Sequence, residues 1–140
     1  MNGEGQARVL SAVDGDGYPR VNLLGDDGNA RVAIRALPDG GSRVTLLNGE
    51  GRARASLSAG TGFDGPDAAT LNLWAPDGPV NSMPMVHLGV DHGQSGEEAL
   101  GAHLMIGDSQ RARIVLGVDD GGDATITLLD ADGNVTWSAP

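Results

Sequence analysis

At 140 residues the chain has the length of one domain, residues 1–140, with 23 glycines, no cysteine and a net charge of −10. The missing cysteine excludes disulfides, thiolate metal sites and a cysteine nucleophile, and the charge argues against nucleic acid or an anionic membrane surface as partner. No apolar run approaches the roughly 18 residues of a membrane helix and no signal peptide opens the sequence, so no membrane insertion is expected and the compartment stays open. In chain order, the sequence opens on "NGEGQARV", which returns as the turn "NGEGRARA" at 48–55, so it begins with a turn that lacks its preceding strand. The strand phrases that follow are "ARVLSAV", "RVNLLG", "ARVAIRA", "RVTLLN" and "ARASLSA" up to residue 59. After the longer middle units come "TLNLWA", "ARIVLGV", "TITLLD" and a last first-strand, "NVTWSAP". All alternate β-branched or aliphatic residues with polar ones, which is strand patterning. The turn glycines Gly5, Gly28 and Gly51 recur every 23 residues.

Turn chemistry sets the pairing. Asp27-Gly28, Glu50-Gly51 and Asp132-Gly133 read as two-residue type I′ turns, and Ser109-Gln110 as a degenerate one. They pair Leu23 with Val32, Val21 with Ile34, Leu46 with Ala55, Val44 with Leu57 and Leu128 with Trp137. At Ser109-Gln110 the same rule pairs Met105 with Ile114 and His103 with Leu116. The loops Gly15-Asp16-Gly17, Pro38-Asp39-Gly40 and Asp120-Gly121-Gly122 read as three-residue type I turns ending in a left-handed glycine. They pair Ser11 with Val21, Ile34 with Val44 and Leu116 with Ile126. Both rules place apolar residues on one face, which is expected to point inward. The prediction is an all-β antiparallel meander of about 10–11 short strands in 23-residue hairpin repeats, rolled or closed into a barrel and completed by oligomerisation. A parallel solenoid would stack Arg8, Arg31 and Arg54 as like charges and is disfavoured. The other face carries Leu10, Leu24, Leu47, Trp74, Ile106, Val115 and Leu129 among arginine, threonine and asparagine, so a second buried surface is expected.

The repeated form Arg-x-x-Leu…Asp-Gly…Leu-x-Leu-x-Asp-x-x-Gly, ending in "WSAP", resembles a group of uncharacterised bacterial β-hairpin repeat proteins. The resemblance covers residues 5–59 and 107–140 and departs over 60–106, where Met85 stands in place of the arginine. It implies a repeat fold and no catalytic residues.

Candidate chemistry concentrates in 83–105, which holds all three histidines and most methionines. Met83, Met85 and His87 share one strand face, expected outward, and His103 and Met105 share another, expected inward; imidazole and thioether together suit copper. Asp91, His92 and His103 form a second candidate set for a divalent metal, near Glu97 and Glu98. Packing of His103 and Met105 in core positions, with the rest at the surface, is the reading preferred over a metal site, and no cofactor is required. "DADGN" at 130–134 lacks the later glutamate and flanking helices of a calcium loop and reads as a turn. Ser58, Ser82 and Ser95 lie in no nucleophile motif, Glu97 and Glu98 are adjacent rather than an opposed acid–base pair, and Gly60-Thr61-Gly62 lacks the lysine of a phosphate loop, so no catalytic residue is assigned.

The expected function is non-enzymatic: a structural or interaction module whose partner is itself, as a trimer or dimer, through sheet faces and unpaired edge strands. The alternative is a small-ligand or metal-binding domain. Its site would lie on two long loops at one end of the sheet, 60–70 and 92–102, with Phe63, Asp64, Asp67, His92, Gln94, Glu97 and Glu98.

Overall fold

Short alternating segments separated by glycine-bearing turns favour antiparallel neighbours joined by tight hairpins. The computed structural model shows that arrangement. It describes residues 5–38, 40–62, 65–75, 84–92, 100–108, 110–118 and 122–140, with backbone alone at 61, 62, 65–67, 91, 92 and 100. The strands are β1 (Val9–Val13), β2 (Pro19–Leu24), β3 (Ala30–Ala36), β4 (Ser42–Leu47), β5 (Ala53–Gly62) and β6 (Gly65–Leu73). They continue as β7 (Val86–His92), β8 (Leu100–Gly107), β9 (Ala112–Val118), β10 (Ala124–Leu129) and β11 (Val135–Ala139). All are antiparallel in one sheet whose order is the chain order. The sheet is open: β1 and β11 are its edges and do not meet, so the barrel alternative is corrected to an unclosed meander.

One turn design serves both kinds of connection. In the β1–β2 turn the Asp14 amide donates to the Tyr18 carbonyl at 2.9 Å and the Gly17 amide to the Asp14 carbonyl at 3.1 Å. The same two bonds recur around Gly28, Gly40, Gly51 and Gly133, each of them at positive φ. That is a three-residue type I turn ending in a left-handed glycine, so the expected type I′ turns at Asp27-Gly28, Glu50-Gly51 and Asp132-Gly133 are corrected. A side-chain cap explains the first residue of the phrase. The Oδ1 atoms of Asp14, Asn48 and Asp130 each accept two backbone amides across the turn, at 2.8–3.1 Å.

The repeated "Ala-Arg" acquires a role from the register. Leu24 pairs with Ala30 but Leu23 pairs with Val32, leaving Arg31 as an extra residue, a β-bulge. Arg54, Arg113 and Thr136 occupy the same position in their hairpins. The bulge returns the pairing to the register that a two-residue turn would have given, which is why Leu23–Val32, Leu46–Ala55 and Leu128–Trp137 are met as expected. The bulged arginine then reaches over turns. Arg31 pairs with Asp27 at 2.7 Å and donates to the Asn48 carbonyl of the next turn at that end, 3.2 Å away. Arg54 donates to the Ala75 carbonyl, and Arg8 pairs with Asp26. Gly25 has no side chain because a Cβ there would lie 2.9 Å from Asp27 and 3.0 Å from the Arg31 guanidinium.

These turns give the protein an acid-sensitive element. Arg31, followed by the Asn29 amide and side chain, holds the Asp27 carboxyl down at about 2. Backbone amides of Gln110 and Arg111, then Arg113, lower Asp108, and Asn134 lowers Asp130. A depressed folded-state pKa contributes stability above the unfolded value that is lost as pH falls through the folded one. Stability is therefore expected to be flat down to the ordinary carboxylate range near 3.8 and to decline toward about 2. Urea midpoints measured across that window check this, and Asp27→Asn should flatten part of the decline.

Candidate functional site

The two faces of the sheet separate by chemistry. On one face an unbroken row of directly opposed residues crosses every strand: Val9, Leu23, Val32, Leu46, Ala55, Leu73, Val86, Ile106, Ile114, Leu128 and Trp137. A second row runs beside it, from Ser11 through Val21, Ile34, Val44, Leu57, Leu71, Leu88, Leu104, Leu116 and Ile126 to Ala139. A third row of smaller residues includes Ala36, Ser42, Ala59, Ala69, Val90 and Ala102. This face was expected to point into a core, and the structure reverses that. Leu57 is 57% exposed, Leu88 47% and Trp137 49%, because no second layer covers them among the described residues.

The opposite face is polar and the more sheltered. Its rows hold Asn22, Ala33, Thr45, Ser56, Asn72, His87, Met105 and Val115 beside Arg20, Arg35, Arg43, Ser58, Thr70, Gly89, His103 and Gly117. Ser58, Thr70 and His87 are buried there. A chain of polar contacts crosses three strands. Ser58 Oγ and Thr70 Oγ1 lie 2.7 Å apart, Asn72 Nδ2 donates to Thr70 Oγ1 at 3.5 Å, and Asn72 Oδ1 is 2.5 Å from His87 Nδ1. Since Asn72 Oδ1 accepts, His87 carries its proton on Nδ1 in this bond. The His87 ring stacks on His103, with centroids 4.9 Å apart and planes at 21°. Gly89 makes room for the stack: a Cβ there would lie 2.7 Å from His103 Cε1 and 2.9 Å from His87 Nε2. Gly89→Ala is expected to cost about 2 kcal/mol in unfolding free energy and to separate the rings, seen as shifted imidazole resonances.

The histidine and methionine assignment is corrected accordingly. His87, His103 and Met105 share the polar face, whereas His103 and Met105 were expected inward with the apolar residues. The reason is the bulge at Arg113, which moves β8 against β9 so that Met105 pairs with Val115 and His103 with Gly117, not with Ile114 and Leu116. Asp91 and His92 are consecutive positions of β7, their backbone opposite Gly101 and Leu100, and their side chains lie outside the described residues. Among the described residues no group of three histidine, aspartate or glutamate side chains is placed to hold a metal.

Of the two expected long loops, the described residues of 60–70 are strand, and 93–99 lie outside the described residues. β5 continues to Gly62 and β6 begins at Gly65, with Gly62 opposite Gly65. Position 67 is therefore in β6, and 92 and 100–102 are in β7 and β8. Phe63, Asp64, Gln94, Glu97, Glu98 and Met83 lie outside the described residues. The Arg20–Arg35–Arg43 row was missed from sequence, although pairing Val21 with Ile34 and Ile34 with Val44 already sets those arginines opposite one another.

No protein-family model and no curated protein matches this chain. The functional reading therefore rests on the chemistry of the two faces.

Proposed function

We propose that this protein is a non-enzymatic assembly module that associates with further copies of itself through its apolar sheet face. The observation that carries the reading is the missing core. The buried apolar residues among those described are Ala33 and Ala68, and no large side chain is fully buried. The chain exposes 8837 Å², against about 6,800 Å² for a folded monomer of this mass. The excess of about 2,000 Å² is comparable with the surface a chain gives up in an extensive obligate interface.

The occupant that fits is a second copy. Three apolar rows span only about 13 Å along the strands, short of the roughly 25 Å band that a lipid-facing sheet presents. Among the described residues no aromatic girdle flanks them. A second apolar face of the same dimensions is complementary in extent, and both partners then bury what each exposes alone. The edge strands β1 and β11 offer a further route of association by strand addition.

Sedimentation equilibrium of the whole chain tests the proposal. A dimer or trimer of the 14.2 kDa chain is expected at tens of micromolar, on the order of ordinary working concentrations. A well-folded monomer there overturns it.

A further inference from the structure

We infer that the polar face carries a binding site for a small ligand with two oxyanion groups, built by Arg20, Arg35 and Arg43. These arginines sit directly opposite one another on β2, β3 and β4. Neighbouring positions in such a row are about 5 Å apart, so three like charges are held side by side. Like charges directly opposed across strands are destabilising. Nothing in the described structure offsets them. Arg8, Arg31, Arg52 and Arg113 each meet a carboxylate. Arg20, Arg35 and Arg43 make no hydrogen bond or ion pair among the described residues, and the Nε atoms of Arg20 and Arg43 are shut off from solvent without a partner. The two central rows of this face contain no aspartate or glutamate, in a chain with 19 of them. Asp14, at the same end of the sheet, is committed to the amides of Asp16 and Tyr18.

A guanidinium is a planar fork that matches an oxyanion in two parallel hydrogen bonds. Three forks in a row leave two gaps, each the width of one strand spacing, so a ligand with two adjacent anionic groups fills both. The terminal Nη atoms are the donors each fork presents to the ligand, since the Nε atoms of Arg20 and Arg43 are shut off from solvent. This site lies on the face opposite the apolar one, so it stands or falls independently of the assembly proposal.

Calorimetric titration of the whole chain with inorganic pyrophosphate tests it, with inorganic phosphate and citrate as comparators. Pyrophosphate is expected to bind saturably at about 150 mM salt with a dissociation constant below about 1 mM, and phosphate more weakly. Whichever of pyrophosphate and citrate binds tighter assigns phosphoryl or carboxylate ligands to the site. Arg35→Gln should weaken binding roughly tenfold or more, while Arg111→Gln, in the exposed β8–β9 turn, leaves it unchanged. Without anion, Arg35→Gln should raise the thermal midpoint, because it removes the central like charge; an arginine with a purely structural role would give a lower midpoint. Absence of binding, equal binding by Arg35→Gln, or a lowered midpoint in that variant each overturns the site.

Discussion

Replacing Leu57 with glutamate is expected to dissociate the assembly and leave the hairpins folded. Leu57 lies in the middle of the second apolar row, opposite Val44 and Leu71, and is more than half exposed in the single chain. The isolated fold therefore gains little from it, and a carboxylate there remains hydrated in the monomer. Across an interface of two such faces the same carboxylate meets only aliphatic neighbours and has no donor. An unpaired buried charge costs several kcal/mol, so association should weaken by about a hundredfold or more. Sedimentation gives the mass and far-ultraviolet circular dichroism the strand content. An unchanged mass with intact strands would show that the apolar face is not the interface. Leu88→Glu, two strands further along the same row, should behave alike.

Gly107→Ala is expected to be the most damaging single methyl group in the chain. Its Cβ would lie 2.1 Å from the Arg111 carbonyl oxygen and 2.9 Å from the Ala112 Cα, and backbone cannot swing aside as a side chain can. Either the β8–β9 hairpin opens or the bulge at Arg113 shifts, and with it the alignment of His103 and Met105. A loss of about 3 kcal/mol, with a thermal midpoint roughly 10 °C lower, is the expected result. Gly28→Ala provides the contrast. There φ is +77° and the space around the Cβ is open, so only the left-handed backbone penalty of about 1 kcal/mol applies. Equal midpoints for the two variants would refute the argument from close backbone contact.

Much of the sheet is legible in the sequence because side-chain alternation tolerates no slip on a face that is apolar throughout. Leu116 against Ile126 follows from turn length alone, and Val44 against Leu57 is met because the Arg54 bulge offsets the longer turn. The turn type itself is not legible, since Asp-Gly satisfies both a type I′ turn and a type I turn with a left-handed glycine. The two differ by one residue, and the bulges at Arg31 and Arg54 absorb that residue. At Arg113 the same bulge follows a shorter turn, where Asp108 pairs directly with Arg111, and there it changes the register. That single difference moved His103 and Met105 to the face of His87. The expectation of an inward apolar face failed for another reason. Patterning tells which residues lie on the same side of a sheet, but not whether the chain has anything to put over them. The segment 60–70 reads as loop because it lengthens, whereas its described residues, 60–62 and 65–70, extend both strands of the hairpin.

Among the described residues every strand pairs only with its predecessor and successor, and no contact joins strands that are not consecutive. Such a ribbon has no closing step, so its length is not set by geometry. Removing or duplicating two consecutive strands preserves direction, face and the reach of each arginine to the following turn. Growth by whole hairpins lengthens the apolar face by one increment at a time, so affinity between copies is expected to rise with repeat number. On the proposed mode of assembly, gene duplication would act as a dial on its strength, with no new interface to be invented at any setting.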